Sequence, residues 1–259
     1  MVAEHRPQGD SDVALEKGLR APATDPASDV VVDLRGDEPV IRIEGADPAV
    51  EPAGLLAATP FQLLTKRIID ILGSLVGLVL LSPVLIVVSA VIFVTSPGPV
   101  FYISDRVGKD GKIFRFLKFR TMRTRADYEK PELIDLNEVD GPIFKIRDDP
   151  RVTPFGRVLR KYSIDEFPQL VHVLFGQMSL VGPRPPIPEE VAEYSEYHRG
   201  RLAVKPGLTC TWQVEGRSDL DFETWVKLDL EYIRTWTTMR DLGLIVRTIP
   251  AVLSGRGAY

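Results

Sequence analysis

Residues 68–94 read IIDILGSLVGLVLLSPVLIVVSAVIFV, and this stretch decides how the chain is organised. It is apolar apart from Asp70 and a few serines and glycines. It is longer than the roughly 20 residues that an α-helix needs to cross the hydrocarbon core of a bilayer. Because a helix of a soluble domain rarely runs so far without a polar face, we predict that this segment is embedded in a membrane.

The middle of the stretch favours a helix that enters the bilayer, breaks and returns to the same side. Pro83 removes a backbone hydrogen bond and clashes with the preceding turn, and Ser82 is placed to cover the freed carbonyl with its hydroxyl. Each arm would be roughly 20 Å long at about 1.5 Å per residue, which is too short to cross alone. A single kinked span stays open as the alternative, since proline alone is tolerated in membrane helices.

The flanks of the stretch are both cationic, which also favours a re-entrant helix. Lys66 and Arg67 precede it, and a basic run follows in which the only acids are Asp105 and Asp110. Lys and Arg prefer the cytoplasmic side, so both ends are predicted to lie on that face. Such a run suits anionic headgroups or phosphorylated ligands, although a solvated loop surface is the plainer alternative. Its basic residues are Arg106, Lys109, Lys112, Arg115, Lys118, Arg120, Arg123 and Arg125.

The composition excludes several classes of protein. A chain of 259 residues with 44% hydrophobic and 26% charged residues suits one globular domain with additional segments. A formal net charge of -4 argues against a general nucleic-acid binder. Cys210 is the single cysteine, so no intrachain disulfide is possible, which fits a reducing cytoplasm. The polar, acidic beginning of the chain does not resemble a secretory signal peptide.

Three regions are predicted along the chain. Residues 1–58 form an acidic tail that is mostly disordered because it has too little apolar material for a core, although residues 30–32 and 40–43 are candidates for a weak strand pair. Residues 59–95 form the re-entrant membrane helix. Residues 96–259 form a small cytoplasmic, membrane-associated catalytic domain.

We predict a mixed α/β fold for this domain, mostly helical, with one β-hairpin and amphipathic surface helices. The hairpin pairs residues 100–103 with residues 113–117 around a turn at 108–111. Helical periodicity returns over residues 222–253. Its large apolar side chains either lie on the bilayer or, more simply, pack against the domain core; they are Trp225, Leu228, Ile233 and Trp236.

The pair Asp165-Glu166 is the centre of the densest polar cluster, and it has two interpretations. Ser163 and Glu166 have the spacing of a helix capping box, which is the simpler interpretation on spacing alone. Pro168 weakens it, because a helix capped at Ser163 would place this proline beyond the first turn. Alternatively, one carboxylate attacks phosphorus, its neighbour holds Mg²⁺, and Arg184 on the proline-rich turn grips a phosphate.

In this region the chain resembles the bacterial sugar transferases, the small monotopic phosphoglycosyl transferases, over about residues 66–259. The likeness begins at KRIIDILGS, includes the LLSP break at Ser82-Pro83, and reaches a closing GRGAY. Several ordered motifs carry it: KRIIDILGS, GPVFY, KFRTM, DPRVTPFG, LRKYSIDEFPQL, MSLVGPRP and KPGLTCTWQVEGR. One departure is TCTWQ at residues 209–213, where many members have Gly-Trp-Ala-Gln.

Carried over by position, the resemblance implies roles for individual residues. Asp165 is the nucleophile, Glu166 binds Mg²⁺, and Ser82 and Pro83 match the break of the re-entrant helix. Nearby arginines are expected to keep Asp165 ionised. The residues expected to bind substrate phosphate or to support the site are Arg184, Arg160, Lys118, Arg120, Arg151 and Arg217.

The resemblance further implies the reaction and its location. A hexose-1-phosphate would pass from a UDP-sugar to polyprenyl (undecaprenyl) phosphate through a covalent aspartyl-phosphosugar, in ping-pong fashion. The enzyme would lie on membrane lipid at the cytoplasmic face of the bacterial inner membrane and initiate exopolysaccharide or another surface glycan. A homodimer stays open. The rival hypotheses are a non-catalytic membrane scaffold and a nucleotidyl or phospho-alcohol transferase, whose spaced Asp clusters we do not find.

Overall fold

The computed structural model describes residues 30–33, 40–43, 53–216, 220–255 and 257. These residues form a mixed, mostly helical fold, as predicted, and their strands make three two-stranded sheets, of which the parallel pair was not predicted. Most of the predicted acidic tail falls outside the described residues, as does Arg217. Within the tail, β1 (Val30–Asp33) pairs antiparallel with β2 (Val40–Ile43), so the strand pair expected there is confirmed.

The apolar stretch forms one helix, α1 (Pro60–Thr95), over nearly the same residues as the predicted membrane segment. Thr59 caps its first turn, because its hydroxyl accepts from the backbone N–H of Gln62 while the Gln62 side chain accepts from the backbone N–H of Thr59. Pro60 follows in the first turn, where its missing N–H has no cost. By length and composition, α1 is able to cross a membrane.

The helical backbone of α1 continues through Pro83, so the predicted helix-break-helix is a single helix. The carbonyl of Val79 would accept from the N–H of residue 83, which proline lacks. The Ser82 hydroxyl donates to this carbonyl instead, at 2.8 Å. The role predicted for Ser82 is therefore confirmed, while a reversal of direction at this point remains a proposal.

The first half of α1 is fixed to the folded domain by its charged side chains. Arg67 donates to the carbonyls of Val173 and Leu174, each at 2.7 Å. Asp70 accepts from the hydroxyl of Ser179 at 2.9 Å and from the backbone N–H of Leu180 at 2.8 Å. These charged side chains of α1 therefore form hydrogen bonds with the folded domain rather than with lipid headgroups.

The second half of α1 contacts the same domain through apolar side chains. Val88 and Ile92 are buried against Phe119 and Leu159. The middle of the helix is largely exposed, with 71% of the Leu80 side chain accessible. Both ends of α1 therefore contact the folded domain, and its exposed apolar surface lies between them.

The domain begins with the predicted hairpin, in which β3 (Phe101–Val107) pairs antiparallel with β4 (Ile113–Phe119). A parallel pair, β5 (Ser179–Val181) and β6 (Gly207–Thr209), lies deeper in the fold. Short 3₁₀ segments occupy Lys109–Gly111, Ala126–Leu136, Ile164–Gln169 and Gly200–Ala203. The remaining helices are α2 (Pro154–Lys161), α3 (Leu170–Phe175), α4 (Pro188–Ala192), α5 (Glu196–Arg199), α6 (Thr211–Glu215), α7 (Phe222–Arg234) and α8 (Thr238–Ser254).

The helical pattern over residues 222–253 divides into α7 and α8, and its large side chains point inward. Trp225, Ile233 and Trp236 are each at most 4% exposed, so packing against the core is confirmed and the bilayer interpretation of this face is wrong. The ring of Trp225 stacks on that of Trp212 with centroids 4.3 Å apart. Instead α8 exposes apolar residues, among them Val246 at 65%.

Candidate active site

Asp165 and Glu166 lie in the 3₁₀ segment between α2 and α3, and they do not belong to a helix cap. Ser163 has a left-handed backbone with φ of 51° and its side chain makes no capping hydrogen bond. The capping-box interpretation is therefore wrong. Residues other than glycine adopt this conformation at an energetic cost, and such residues cluster at functional sites. The turn it creates leaves the dyad at the wall of a cavity.

A cavity of about 700 Å³ brings the predicted dyad together with predicted cations. Asp165 and Glu166 line it alongside Lys118, Arg160 and Arg184. Each side chain comes from a different part of the chain: Lys118 from β4, Arg160 from the last turn of α2, and Arg184 from the turn after β5. The arrangement suits a ligand that carries several negative charges.

Other parts of the cavity wall are apolar and belong to the long helix and to α8. The helix α1 contributes residues next to the Ser82-Pro83 site, and α8 contributes branched aliphatic side chains. These wall residues are Gly77, Leu80, Leu81, Ile245, Ile249 and Val252. A ligand with both a charged group and a hydrocarbon chain would thus find a complementary surface for each.

The electrostatics of the dyad are dominated by burial. Burial raises the pKa of Asp165, and the charges of Lys118 and Arg160 oppose this rise. Burial, followed by the charge of Asp165, raises the pKa of Glu166 to about 7. Desolvation of Asp165 therefore opposes the nearby cations, and the expectation that arginines keep this carboxylate ionised stays a prediction. An additional cation, or a bound ligand that brings one, would favour the ionised dyad.

Lys118 and Arg160 are both affected by this environment. Burial lowers the pKa of Lys118 to about 8, although the charge of Asp165 acts in the opposite direction. Burial also lowers the pKa of Arg160, whose guanidinium Nε donates to the hydroxyl of Thr121 at 3.0 Å. Cations held in such a poorly hydrated place interact strongly with a phosphate.

Arg184 is presented by a turn that is fixed on both sides. Gly182 donates to the carbonyl of Thr209 at 3.0 Å, and Gly207 donates to the carbonyl of Pro183 at 2.8 Å. A Cβ on Gly182 would lie 2.5 Å from the carbonyl oxygen of Lys205, so only glycine fits there. The Arg184 guanidinium lies 3.6 Å from the carboxylate of Glu190 and 31% of its side chain is exposed. The Arg184 guanidinium is therefore held in place by the turn and remains accessible to a ligand in the cavity.

Three other predicted phosphate ligands are placed differently. Arg120 does not line the cavity; its guanidinium donates to the carbonyls of Ser96 and Pro97 and so fixes the chain where it leaves α1. Arg151 lines the cavity, but it forms a buried ion pair with Asp149 at 2.6 Å. Arg217 lies outside the described residues.

Arg106 belongs with the site although sequence reasoning did not select it. Its guanidinium donates to the carbonyl of Pro185 at 2.9 Å and lies 5.1 Å from the ring centroid of Phe116. The register of the hairpin is the feature that could have identified Arg106. In it, Arg106 opposes Phe114 and Tyr102 opposes Lys118. Since strand residues alternate between faces, Arg106 and Lys118 project from the same face.

The donor set fits Mg²⁺ shared with a phosphate ligand. Among the residues that the structure describes, no group of three or more His, Cys, Asp or Glu side chains is placed to hold a metal alone. Mg²⁺ commonly binds through one or two carboxylates together with substrate phosphates. The adjacent carboxylates of Asp165 and Glu166, in a cavity lined with cations, meet that requirement.

Comparison with known proteins gives consistent matches. The family model described as bacterial sugar transferase matches residues 61–255. The galactosyl transferase CpsE of Streptococcus agalactiae serotype III is 44% identical over 198 residues, which cover 76% of this chain and 44% of that protein. The exopolysaccharide production protein ExoY of Rhizobium meliloti is 38% identical over 218 residues, covering 83% of this chain and 96% of ExoY.

A third relative has a name that specifies its reaction. The UDP-glucose:undecaprenyl-phosphate glucose-1-phosphate transferase of Caulobacter vibrioides is 38% identical over 222 residues, covering 81% of this chain and 77% of that protein. This chain therefore spans less than half of CpsE but nearly the whole of ExoY. The residues matched by the family model, 61–255, include the dyad, the cavity cations and nearly all of α1.

Proposed function

This chain belongs to the bacterial sugar transferase family, and we propose that it is a phosphoglycosyl transferase that moves a hexose-1-phosphate from a UDP-sugar to undecaprenyl phosphate. Relatives named as undecaprenyl-phosphate galactose and glucose phosphotransferases support this activity. One observation carries the proposal. A single cavity joins the carboxylates of Asp165 and Glu166 and the cations Lys118, Arg160 and Arg184 to an apolar wall supplied in part by α1.

In the first half-reaction, Asp165 attacks the phosphate that carries the sugar. A carboxylate oxygen forms a bond to the β-phosphorus, the bond from that phosphorus to the bridging oxygen breaks, and UMP leaves with the electron pair. The charges of Lys118 and Arg160 act on the Asp165 carboxylate, and they are placed to stabilise the phosphoryl oxygens while Asp165 bonds to the phosphorus. The product is an aspartyl-phosphosugar.

Glu166 is the residue proposed to hold Mg²⁺. When bound, the ion neutralises charge on the diphosphate and polarises it for attack. Arg184, which lines the same cavity, is placed to grip a phosphate oxygen in addition. The charged residues thereby orient the donor so that Asp165 reaches the β-phosphorus.

In the second half-reaction, the phosphate of the lipid acceptor attacks the aspartyl-phosphosugar and releases Asp165. The apolar wall supplied by α1 and α8 is suited to the first isoprene units of the acceptor. The charged wall holds its phosphate at Asp165. Such a product would start exopolysaccharide or another surface glycan, in keeping with the names of relatives.

We further propose that α1 is re-entrant, so that the enzyme is monotopic on the cytoplasmic face of the inner membrane. Support comes from chain segments on both sides of the helix. Before α1, the backbone N–H of Leu55 donates to the carbonyl of Ile233 in α7 at 2.8 Å. After α1, Arg120 holds the carbonyls of Ser96 and Pro97. A crossing helix would separate these two contacts by the thickness of a bilayer.

Cysteine labelling tests this topology. In a Cys210→Ser background, single cysteines replace the exposed residues Ala53 and Lys112, one on each side of α1. We expect both to be protected from a membrane-impermeant thiol reagent added to spheroplasts and to react after lysis. Reaction of only one of them in intact spheroplasts would show that α1 crosses the membrane.

The activity is tested with a panel of UDP-sugars, Mg²⁺ and undecaprenyl phosphate, with UMP release as the signal. We expect UMP release with UDP-glucose or UDP-galactose and a lipid-linked sugar phosphate as the second product. The family contains relatives named for each hexose. Absence of UMP release with every UDP-sugar, from a protein with a cooperative melting transition, would refute the proposed activity and favour a scaffold.

A further inference from the structure

A second, smaller cavity of about 60 Å³ adjoins the large one at the dyad. Lys118, Glu166 and Arg184 line both cavities, whereas Arg106 and Gln169 line only the smaller one. A single water requires roughly 10–15 Å³ of such space. The smaller cavity therefore has room for a group of several heavy atoms.

Two residues that line this smaller cavity each carry a buried donor atom for which the described part of the chain offers no acceptor. The side-chain nitrogen Nε2 of Gln169 is buried and has no hydrogen-bond partner among the described residues, and the residue is only 2% exposed. The Nε of Arg106 is buried without a partner as well. Both atoms are donors, and a buried donor without an acceptor destabilises the folded protein. A ligand in this cavity that accepts hydrogen bonds would satisfy either donor once its side chain turned toward the ligand.

The charge of this wall is strongly positive. Three cations, Arg106, Lys118 and Arg184, surround one carboxylate, Glu166. The pKa of Arg106 is lowered to about 10 by burial and by the charge of Arg184. Two guanidinium groups that repel each other in a poorly hydrated cavity would be stabilised by an anion held near both.

The walls of the two cavities differ in a way that identifies the anion. The large cavity includes residues of α1 and α8, which suit a lipid, while the smaller cavity includes none from either helix. Asp165 lines only the large cavity. The smaller cavity therefore lies away from the lipid-facing wall, where a group of the soluble donor would enter.

We propose that this smaller cavity is an oxyanion subsite for the α-phosphate of the nucleotide donor, with Arg106 and Gln169 as binding residues. This inference rests on the proposed function. When an oxygen of Asp165 bonds to the β-phosphorus, the bridging oxygen departs with the electron pair and stays on the α-phosphate. The negative charge of that phosphate rises by one unit as it becomes the phosphate of UMP. Arg106, Arg184 and the amide of Gln169 meet this developing charge.

Gln169→Glu is the sharpest test, because it keeps the shape of the side chain but replaces a donor with a negative charge. Binding of UMP and of uridine is measured by calorimetry on the full chain in nanodiscs. We expect the Kd of UMP to rise at least about 10-fold, while the Kd of uridine stays within about twofold. Gln62→Glu, at the exposed start of α1, adds the same charge elsewhere and should leave both unchanged.

Arg106→Lys provides a second variant that keeps the charge and loses the planar fork. If Gln169→Glu lowers the melting temperature of the protein substantially, the proposal is tested with Arg106→Lys instead. We expect this variant to bind UMP about 3- to 10-fold more weakly. Unchanged UMP binding in a folded variant would overturn the proposal and leave the cavity to water. An equal weakening of UMP and uridine would assign it to the base instead. Failure of the proposed function is recognised separately, since wild-type protein would then release no UMP from any UDP-sugar.

Discussion

Lys66, near the start of the apolar helix, forms a buried ion pair with Asp241 of α8, with 2.7 Å between Nζ and Oδ2. Asp241 also accepts hydrogen bonds from the hydroxyl of Tyr232 at 2.7 Å and the indole of Trp236 at 3.0 Å. Lys66 further donates to the carbonyl of Val181 at 3.0 Å, three residues before Arg184. The pair therefore connects the apolar helix α1 with the turn that presents Arg184, the arginine proposed to bind a phosphate.

Lys66→Met should destabilise the protein, because it leaves Asp241 buried without its countercharge. Loss of one partner of a buried pair costs about 3–5 kcal/mol, which corresponds to a melting temperature lower by on the order of 10 °C. Arg247→Met is the control, since the Arg247–Glu215 pair is exposed and should contribute at most about 1 kcal/mol. Equal melting temperatures for the two variants would show that the buried pair contributes no more than a surface pair.

Ser82 and Pro83 should act as a coupled pair. Ser82→Ala removes the hydrogen bond to the Val79 carbonyl and should cost about 1 kcal/mol. In a Pro83→Ala background, the restored N–H of residue 83 bonds the same carbonyl, so Ser82→Ala should then cost almost nothing. A double-mutant cycle on melting temperatures measures this coupling. Additive effects would mean that Ser82 does not replace the missing bond.

The lowered pKa of Lys118 predicts that the rate of UMP release falls at alkaline pH. Its pKa is lowered to about 8, so the ammonium is present below that pH and is lost as the pH rises through it. The rate of UMP release should fall above about pH 8 if this charge is needed. Lys118→Arg keeps the charge at all accessible pH values and should move the alkaline limb of the pH profile upward, while Lys112→Arg on the exposed surface should not. An unchanged limb in Lys118→Arg would assign it to another group.

Glu166→Gln should raise the Mg²⁺ concentration needed for half-maximal activity. Changes to residues that merely orient metal ligands cost about 10–100-fold in affinity, so loss of a ligand should cost at least as much. The comparison is with Glu193→Gln, which removes an exposed carboxylate. Titration of UMP release with Mg²⁺ gives the half-maximal Mg²⁺ concentration for each of the two variants. Coincident titration curves would exclude Glu166 as the metal ligand.

Much of this architecture was predictable from the sequence because it depends on local pattern. The length of α1, the hairpin and the compensating role of Ser82 follow from apolar runs, turn residues and a single proline. Tertiary contacts were not predictable in this way. The inward packing of Trp225 and Trp236 depends on residues distant along the chain, and spacing alone does not distinguish a core face from a membrane face.

The candidate site shows the same division. The resemblance selected Asp165, Glu166, Lys118, Arg160 and Arg184, and the fold brings all of them to one cavity. The sequence of the basic run does not distinguish residues whose side chains face the cavity from residues whose side chains bind backbone carbonyls. Arg120 holds the carbonyls after α1, whereas Arg106 reaches the site through the register of the hairpin. The pKa values of Asp165 and Glu166 are raised because these residues are buried, and burial cannot be read from the sequence alone.

The covalent role of Asp165 is the central claim, and trapping the intermediate tests it most directly. Wild-type protein is incubated with Mg²⁺ and a radiolabelled UDP-hexose without lipid acceptor, then quenched in acid and analysed by mass spectrometry. We predict one equivalent of UMP, a mass gain of one hexose phosphate at Asp165, and loss of the label when undecaprenyl phosphate is added. Asp165→Asn should show none of these. A labelled protein that retains its label in Asp165→Asn, or full turnover by that variant, would contradict the account.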